Sequence, residues 1–323
     1  MINSRKSEPE RLNVFQRLYR FLTRPRAKLQ GISLFRSQEG SIVYQPSLNV
    51  FVSVGPSVVR FSLRQRELMT SPFLFVKDEV LYCFFGTKNR TEPGKISVLT
   101  IGTDRKIRIE DCCLDTDCHL SFPFIYSPNQ NTDCFMIPET TALREVAMYE
   151  PIDFPLRWTR KKVLLTGHYV DSHLLFFEGT YYLFATQVTE AATSHVPHYQ
   201  LNIFYSDTLL GDYLPHPRNP VCIDQKYSRS GGKILLENGI IYRIAHDCSE
   251  TETDELHFFR IAKLTKEEYE EEIWLENWSR QSLPMEPGAS HIDPLSTTHD
   301  VYTAVEVTRK DSYLQRFVEL WTM

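Results

Sequence analysis

Apolar residues along this chain come in paired bursts separated by short polar turns. The pattern occurs five times: SPFLFVKDEVLYCFFGTKN from Ser71, SFPFIYSPNQNTDCFMIPETT from Ser121, VDSHLLFFEGTYYLFATQ from Val170, RSGGKILLENGIIYRIAHDC from Arg229 and a degraded copy, HIDPLSTTHDVYTAVEV, from His291. Each reads as a hairpin of two short strands rich in aromatic and branched residues. The turns fall at Lys77-Asp78-Glu79, Ser127-Pro128-Asn129, Glu178-Gly179 and Asn238-Gly239. Asn-Gly is a strong hairpin signal because both turn residues must tolerate positive φ. The copies recur about every 50 to 60 residues, the length of a propeller blade. The pattern therefore predicts an all-β fold: a five-bladed β-propeller over residues 31–323, with a short helical extension over residues 1–30.

Segments between the hairpins suit the outer strands of each blade. Residues 95–100 (KISVLT), 106–110 (KIRIE), 146–149, 158–165, 201–206 and 256–261 alternate as half-buried strands do. Residues 265–272 (TKEEYEEE) predict one short helix, with Thr265 as its cap, Glu268 at the capping-box position and the acidic run facing solvent. SIVYQ and NVFVSV, within residues 31–54, are expected to complete the last blade and close the ring. Nearer the start, Leu12, Phe15, Leu18, Tyr19 and Leu22 fall at helical spacing opposite Arg11, Arg17, Arg20 and Arg24, with Pro25 ending the helix. Such a basic helix either lies on a membrane surface or packs on the propeller rim.

Composition adds limits. The 323 residues are 42% hydrophobic, enough for a large core, and 12% aromatic with only 13 Gly, which suits strands packed face to face. A net charge of −5 gives no global pull toward nucleic acid or an anionic membrane. No apolar run approaches the roughly 18–20 residues that span a bilayer, and no signal-peptide core is present, so the chain reads as soluble with its compartment open. The seven cysteines include no pair of CxxC motifs, and the cluster Cys113, Cys118, His119 matches no common zinc spacing. They read as small buried apolar residues with at most one disulfide. No metal and no cofactor is expected.

In an antiparallel hairpin the start of the first strand and the end of the second share one edge. In a propeller that edge opens on the central funnel, and nearly every residue placed there is polar. Strand starts contribute Ser71, His119, Ser121, Asp171, His173, Arg229, Ser230, His291 and Asp293; strand ends contribute residues 87–89, including Lys88 and Asn89, then Glu139, Gln187, His246, Asp247 and Glu306. Carboxylates facing each other across a sugar are the equipment of glycoside hydrolysis. Glu139, Asp171 and Asp247 are the candidate catalytic acids. Lys88, Asn89, His119, Ser121, His173, Gln187, Arg229, His246, His291 and Glu306 are the candidate sugar-binding groups. The competing reading is structural, since a strand-terminal acid often bonds turn amides.

The phrases DCHLSFPFIY, FMIPETT, YEPIDFPLRWTRKKVLL, VDSHLLFFEGTYYLFAT, YSDTLLGDYLPHPRNPV and SRSGGKILLENGIIYRIAHDCS resemble the N-terminal domain of plant glucosamine inositolphosphorylceramide transferases and related bacterial domains. The resemblance covers roughly residues 70–307 and implies a fold similar to the propeller glycosidases of the arabinanase and levansucrase type. It also implies a carbohydrate or glycolipid head group as partner and the Golgi or secretory pathway as location. The family usually carries Glu where this chain has Gly86, Gln in place of His246, and Tyr-Gly in place of Thr253-Asp254. Transfer in that family belongs to a separate domain, which this chain as read does not include. Head-group binding is therefore expected here, with a glycoside hydrolase-like enzyme or an interaction scaffold as alternatives.

Overall fold

The computed structural model describes residues 28–38, 42–45, 50–53, 57–61, 68–88, 92–103, 107–128, 133–190, 197–249, 254–279, 288–296 and 300–310. Residues Gln30–Thr308 form one compact unit; of the other, Met1–Leu29 with Arg309–Met323, only 28–29 and 309–310 are described. The helix expected between Leu12 and Leu22 lies outside the described residues.

The architecture is all-β and propeller-like. In chain order the strands begin with β1 (Lys28–Gln38), β2 (Ile42–Gln45), β3 (Val50–Ser53) and β4 (Ser57–Phe61). The first sheet of consecutive strands is β5 (Leu68–Lys77), β6 (Val80–Lys88), β7 (Lys95–Ile101) and β8 (Ile107–Leu114). The second is β9 (Ser121–Tyr126), β10 (Phe135–Thr140), β11 (Glu145–Asp153) and β12 (Arg157–Thr166). The third holds β13 (Tyr169–Phe177), β14 (Thr180–Glu190), β15 (Pro197–Ser206), β16 (Leu214–Pro215) and β17 (Cys222–Ile223). The fourth holds β18 (Arg229–Ser230), β19 (Leu235–Glu237), β20 (Ile240–Asp247), β21 (Glu255–Leu264) and β22 (Tyr269–Leu275). These four are blades of consecutive strands. The fifth hairpin, β23 (Gly288–Ser296) and β24 (Asp300–Lys310), sits instead in a composite sheet of order β23-β24-β1-β4.

Two expectations change here. Blades made of consecutive strands number four, not five, because the last hairpin takes its outer strands from the start of the chain. SIVYQ and NVFVSV do not supply those strands. They form a separate two-stranded hairpin, β2–β3; of the strands on either side of it, β1 covers the open edge of β24 and β4 pairs in turn with β1. An uncovered pair of strands is marginal in water, so an edge that finds partners is the stable outcome.

The paired apolar bursts follow from burial on both faces of each sheet. Along β14, Tyr182 and Phe184 pack toward the fourth sheet while Leu183 and Ala185 pack toward the second. Five apolar clusters lie between successive sheets, and the last couples Ala304 on β24 back to Met69, Leu74 and Phe85 of the first sheet. Burying each such large side chain stabilises the fold by about 1.5–3 kcal/mol. The turns behave as their composition requires: Asp78, Glu79, Glu178, Gly179, Asn238 and Gly239 all have positive φ. All seven cysteines are outside any disulfide.

The acidic run after Thr265 is not a helix. The Thr265 hydroxyl accepts the amides of Glu267 (3.2 Å) and Glu268 (2.9 Å), as a cap would, but the chain then enters β22. Strand alternation turns Tyr269 and Glu271 inward, where the fully buried guanidinium of Arg243 binds both oxygens of Glu271 at 2.7 Å. Arg243 also donates to the Tyr227 carbonyl (2.8 Å) and lies over the Phe259 ring. A buried cation of this kind needs its partner more than local propensity needs a helix. Glu271→Gln should therefore cost about 3–5 kcal/mol in denaturant unfolding, whereas Glu270→Gln, exposed on the same strand, should stay within about 0.5 kcal/mol.

Candidate functional site

The site begins with an irregularity repeated at the start of the innermost strands. The register of β5 on β6 shifts between Thr70 and Phe73, that of β9 on β10 between Ile137 and Glu139, and that of β13 on β14 between Val170 and His173. Each shift is a bulge, which re-aims side chains and sharpens the local twist. Its leading residue takes left-handed backbone: φ is 49° at Ser71, 45° at Phe122 and 53° at Asp171. In the fourth sheet Gly231 and Gly232 follow β18, and a Cβ on Gly232 would stand 2.2 Å from the Ile292 carbonyl oxygen. Non-glycine residues in that region cost roughly 1–3 kcal/mol and persist only where neighbours hold them.

Carboxylates of the preceding sheet do the holding. Glu306 Oε2, at the end of β24, accepts the Ser71 amide at 2.7 Å. Glu139, at the end of β10, accepts the Asp171 amide and the Ser121 hydroxyl. Gly86 stands opposite Thr70 in the register position that Glu139 holds opposite Ser121. The same atoms line a cavity of about 330 Å³ at the strand mouths.

Asp171 is the centre of this cavity wall. It is 2% exposed, and its two oxygens accept from Arg229 Nε (2.7 Å) and Nη2 (2.8 Å) in a bidentate pair. The guanidinium also lies over the Tyr199 ring at 5.5 Å. Burial and the Asp171 charge together push Glu139 up to about 7, against the pull of Arg229 and the two hydrogen bonds it accepts. Burial likewise raises Glu306, which the Ser71 amide pulls back.

The histidines divide by partner. Burial pushes His291 down to about 3 and His173 to about 4, and lowers His119 as well, whose Nδ1 accepts the Gly94 amide at 2.8 Å. At His246 burial acts the same way, but hydrogen bonds to the Asp254 carboxylate (3.3 Å) and the Cys248 sulfur (3.6 Å) win and push it up to about 10. Two buried polar atoms of cavity-lining residues, Ser230 Oγ and His291 Nε2, have no hydrogen-bond partner among the described residues.

Of the residues singled out from sequence, Glu139, Asp171, Lys88, His119, Ser121, Arg229, His246, His291 and Glu306 line the cavity. Asn89 lies outside the described residues. Asp247 is placed elsewhere: its carboxylate accepts from the Ser249 amide (2.9 Å) and hydroxyl (2.6 Å) and stands 3.5 Å from His257 Nε2. His173 lies beneath the wall, stacked on Phe184 with Nδ1 on the Asp171 carbonyl (3.0 Å), so it supports the bulge rather than facing the cavity. Gln187 pairs with Tyr169 and Gln200 within its sheet. Sequence reasoning missed Thr70, Leu120, Phe122 and Ser290. Phe122 stays in the core against Phe73, as alternation places it, and also borders the cavity where the bulge sits. Among the described residues no group of three or more His, Cys, Asp or Glu side chains is arranged to hold a metal ion, and no helix is long and apolar enough to cross a membrane.

Blades of antiparallel strands with a polar cavity at the strand mouths define a propeller-like protein. A family 117 glycoside hydrolase from the marine bacterium Zobellia galactanivorans superposes with a TM-score of 0.50 at 11% identity, over 75% of this chain and 84% of that one, a likeness of fold alone. The chain belongs to the family described as glucosamine inositolphosphorylceramide transferase 1, N-terminal, which matches residues 47–281. Glucosamine inositolphosphorylceramide transferase 1 of Arabidopsis thaliana is 35% identical over 208 residues, and that of Oryza sativa subsp. japonica 34% over 207, each alignment covering 63% of this chain. The chain spans about a quarter of the length of these relatives, 26% and 27%.

The raised carboxyl has a testable consequence. Glu139 ionises near 4.5 in the unfolded chain and near about 7 in the fold, so its contribution to stability is complete below the lower value and is lost as pH rises through the upper one. Gln copies the protonated acid. Glu139→Gln should melt close to wild type near pH 5 and on the order of a few °C above it near pH 8, read by thermal unfolding. A difference that does not change with pH would count against the assignment.

Proposed function

We propose that this chain is a binding module for a carbohydrate or glycolipid head group. The supporting observation is the polar cavity itself, whose lining residues include buried hydrogen-bonding atoms, Ser230 Oγ and His291 Nε2, with no partner among the described residues. Buried polar groups normally find partners, and a polyhydroxylated ligand supplies them. Arg229, His246 and Lys88 would meet anionic or hydroxyl groups, while Glu139, Glu306 and Ser121 would accept or donate around the ring. The relatives' name, glucosamine inositolphosphorylceramide transferase, points to amino sugars and inositol phosphates as the first ligands to try. The composite sheet is read as a fifth blade that closes the ring around this cavity, since its apolar cluster reaches back to the first sheet.

Binding is preferred to hydrolysis because both Asp171 oxygens are occupied by Arg229 and Glu139 is bonded to the Asp171 amide. Asp171 is thus committed to an ion pair and Glu139 to holding the bulge, roles that serve the wall rather than a reacting water. The second reading, a hydrolase-like enzyme, is favoured by one observation: an acid held near about 7 is poised to donate a proton.

Thermal-shift and calorimetric titration with glucosamine, glucuronic acid and myo-inositol 1-phosphate tests the proposal. At least one should raise the melting temperature. Ser230→Ala should weaken that ligand about three- to tenfold with unchanged stability of the unliganded protein, and Arg229→Lys should weaken it by more than about tenfold. A folded protein that binds none of these head groups, or binds them equally well as Ser230→Ala and Arg229→Lys, would overturn it. Release of free sugar from a glycoside would shift the conclusion to the enzyme.

A further inference from the structure

Cys248 stands apart from the other cysteines in its surroundings. Burial raises the thiols of Cys83, Cys113, Cys134 and Cys222. Cys248 is only half-buried, just past the end of β20, where its amide donates to the Gln225 carbonyl at 3.1 Å. Its sulfur lies 3.6 Å from His246 Nδ1 and 3.9 Å from Arg229 Nη1. The other nitrogen of His246 meets Asp254 at 3.3 Å, which favours the imidazolium. A thiol, an imidazole and a carboxylate thus stand in line, with a guanidinium beside the sulfur.

The neighbourhood is also open to small molecules. Arg229 and His246 both line the cavity together with Ser230, whose buried hydroxyl has no partner among the described residues. We propose that Cys248 is a thiol-modification site at the cavity edge, whose sulfur, held between the Arg229 guanidinium and the His246 imidazole, attacks low-molecular-weight disulfides. The Cys248 thiolate forms a bond to one sulfur of the disulfide, the original S–S bond breaks, and the departing thiolate takes a proton from water. Cys248 is oxidised to a mixed disulfide and the released half is reduced to a thiol. Nothing in this step depends on the cavity binding a sugar.

The charged and titratable groups facing the sulfur come from four strands or their ends: His246 from β20, Arg229 from β18, Asp171 from β13 and Tyr199 from β15. Burial and Asp171 oppose the thiolate, while the hydrogen bond and charge of His246, with the charge of Arg229, favour it and leave the thiol below its ordinary value. A thiolate at neutral pH is the reactive form.

The protein is treated near pH 7 with iodoacetamide, and labelling at each cysteine is followed by peptide mass spectrometry. Cys248 should react about tenfold faster than the exposed Cys112, and His246→Gln should slow Cys248 by a similar factor while Cys112 is unchanged. Asp254→Asn, which bears on the far nitrogen rather than on the sulfur, should slow it less, and both variants should remain folded by circular dichroism. Oxidised glutathione should place a mixed disulfide on Cys248 that dithiothreitol reverses. Labelling of Cys248 no faster than Cys112, rates unchanged in both variants, or no mixed disulfide on Cys248 would each overturn the proposal.

Discussion

Asp171 carries a conflict of requirements on which the cavity wall depends. Its backbone stands in the left-handed region at φ 53°, a strained position for a residue with a Cβ. Three neighbours keep it there. Glu139 from the second sheet takes its amide, His173 of its own strand takes its carbonyl, and Arg229 from the fourth sheet takes both side-chain oxygens. One residue therefore joins three sheets. The bidentate pair is largely desolvated, so the guanidinium and the carboxylate hold each other's charge in place, and removing either one strands the other.

That arrangement blurs the line between structural and functional carboxylates. Glu139 and Glu306 each catch the bulge amide of the following sheet, which is what a purely architectural acid would do. Yet both face the cavity, and burial holds both above the ordinary carboxylate range. Histidine shows how little is needed to choose a state. His119, His173 and His291 are kept neutral by burial, while His246, also buried against the wall, is held charged by Asp254 and Cys248. His246 and Asp254, eight positions apart in the chain, are in contact with each other.

Much of this was legible in the sequence because strands buried on two faces read as apolar runs, and tight hairpins demand residues that tolerate positive φ. The rule that strand starts and strand ends share an edge brought nine of the thirteen candidate residues to one cavity. It failed where side-chain partners decide direction: Asp247 turns to Ser249 and His257, and His173 turns under the bulge to its own strand's carbonyl. The bulges themselves leave no local signature, since Ser71, Phe122 and Asp171 share no residue type. Residues 265–272 misled for a different reason. Their composition favours a helix, but Arg243, more than twenty residues earlier in the chain, demands Glu271 in a strand. The composite sheet was half legible: strands from the N-terminal region do join β24, but they are the pair outside the β2–β3 hairpin.

That composite sheet ties the two halves of the chain's chronology together. β1 and β4 precede the four blades in the chain and β23 and β24 follow them, so hydrogen bonds between the two groups join residues more than two hundred positions apart. During synthesis the four blades of consecutive strands can form as they emerge, but the early strands must wait, with their edges open, for the final hairpin. Contacts of such sequence separation are slow to form and leave pairing edges exposed meanwhile. The seam between the early and the late strands is thus the pairing that synthesis leaves open longest, and an incomplete chain would offer that edge to another strand.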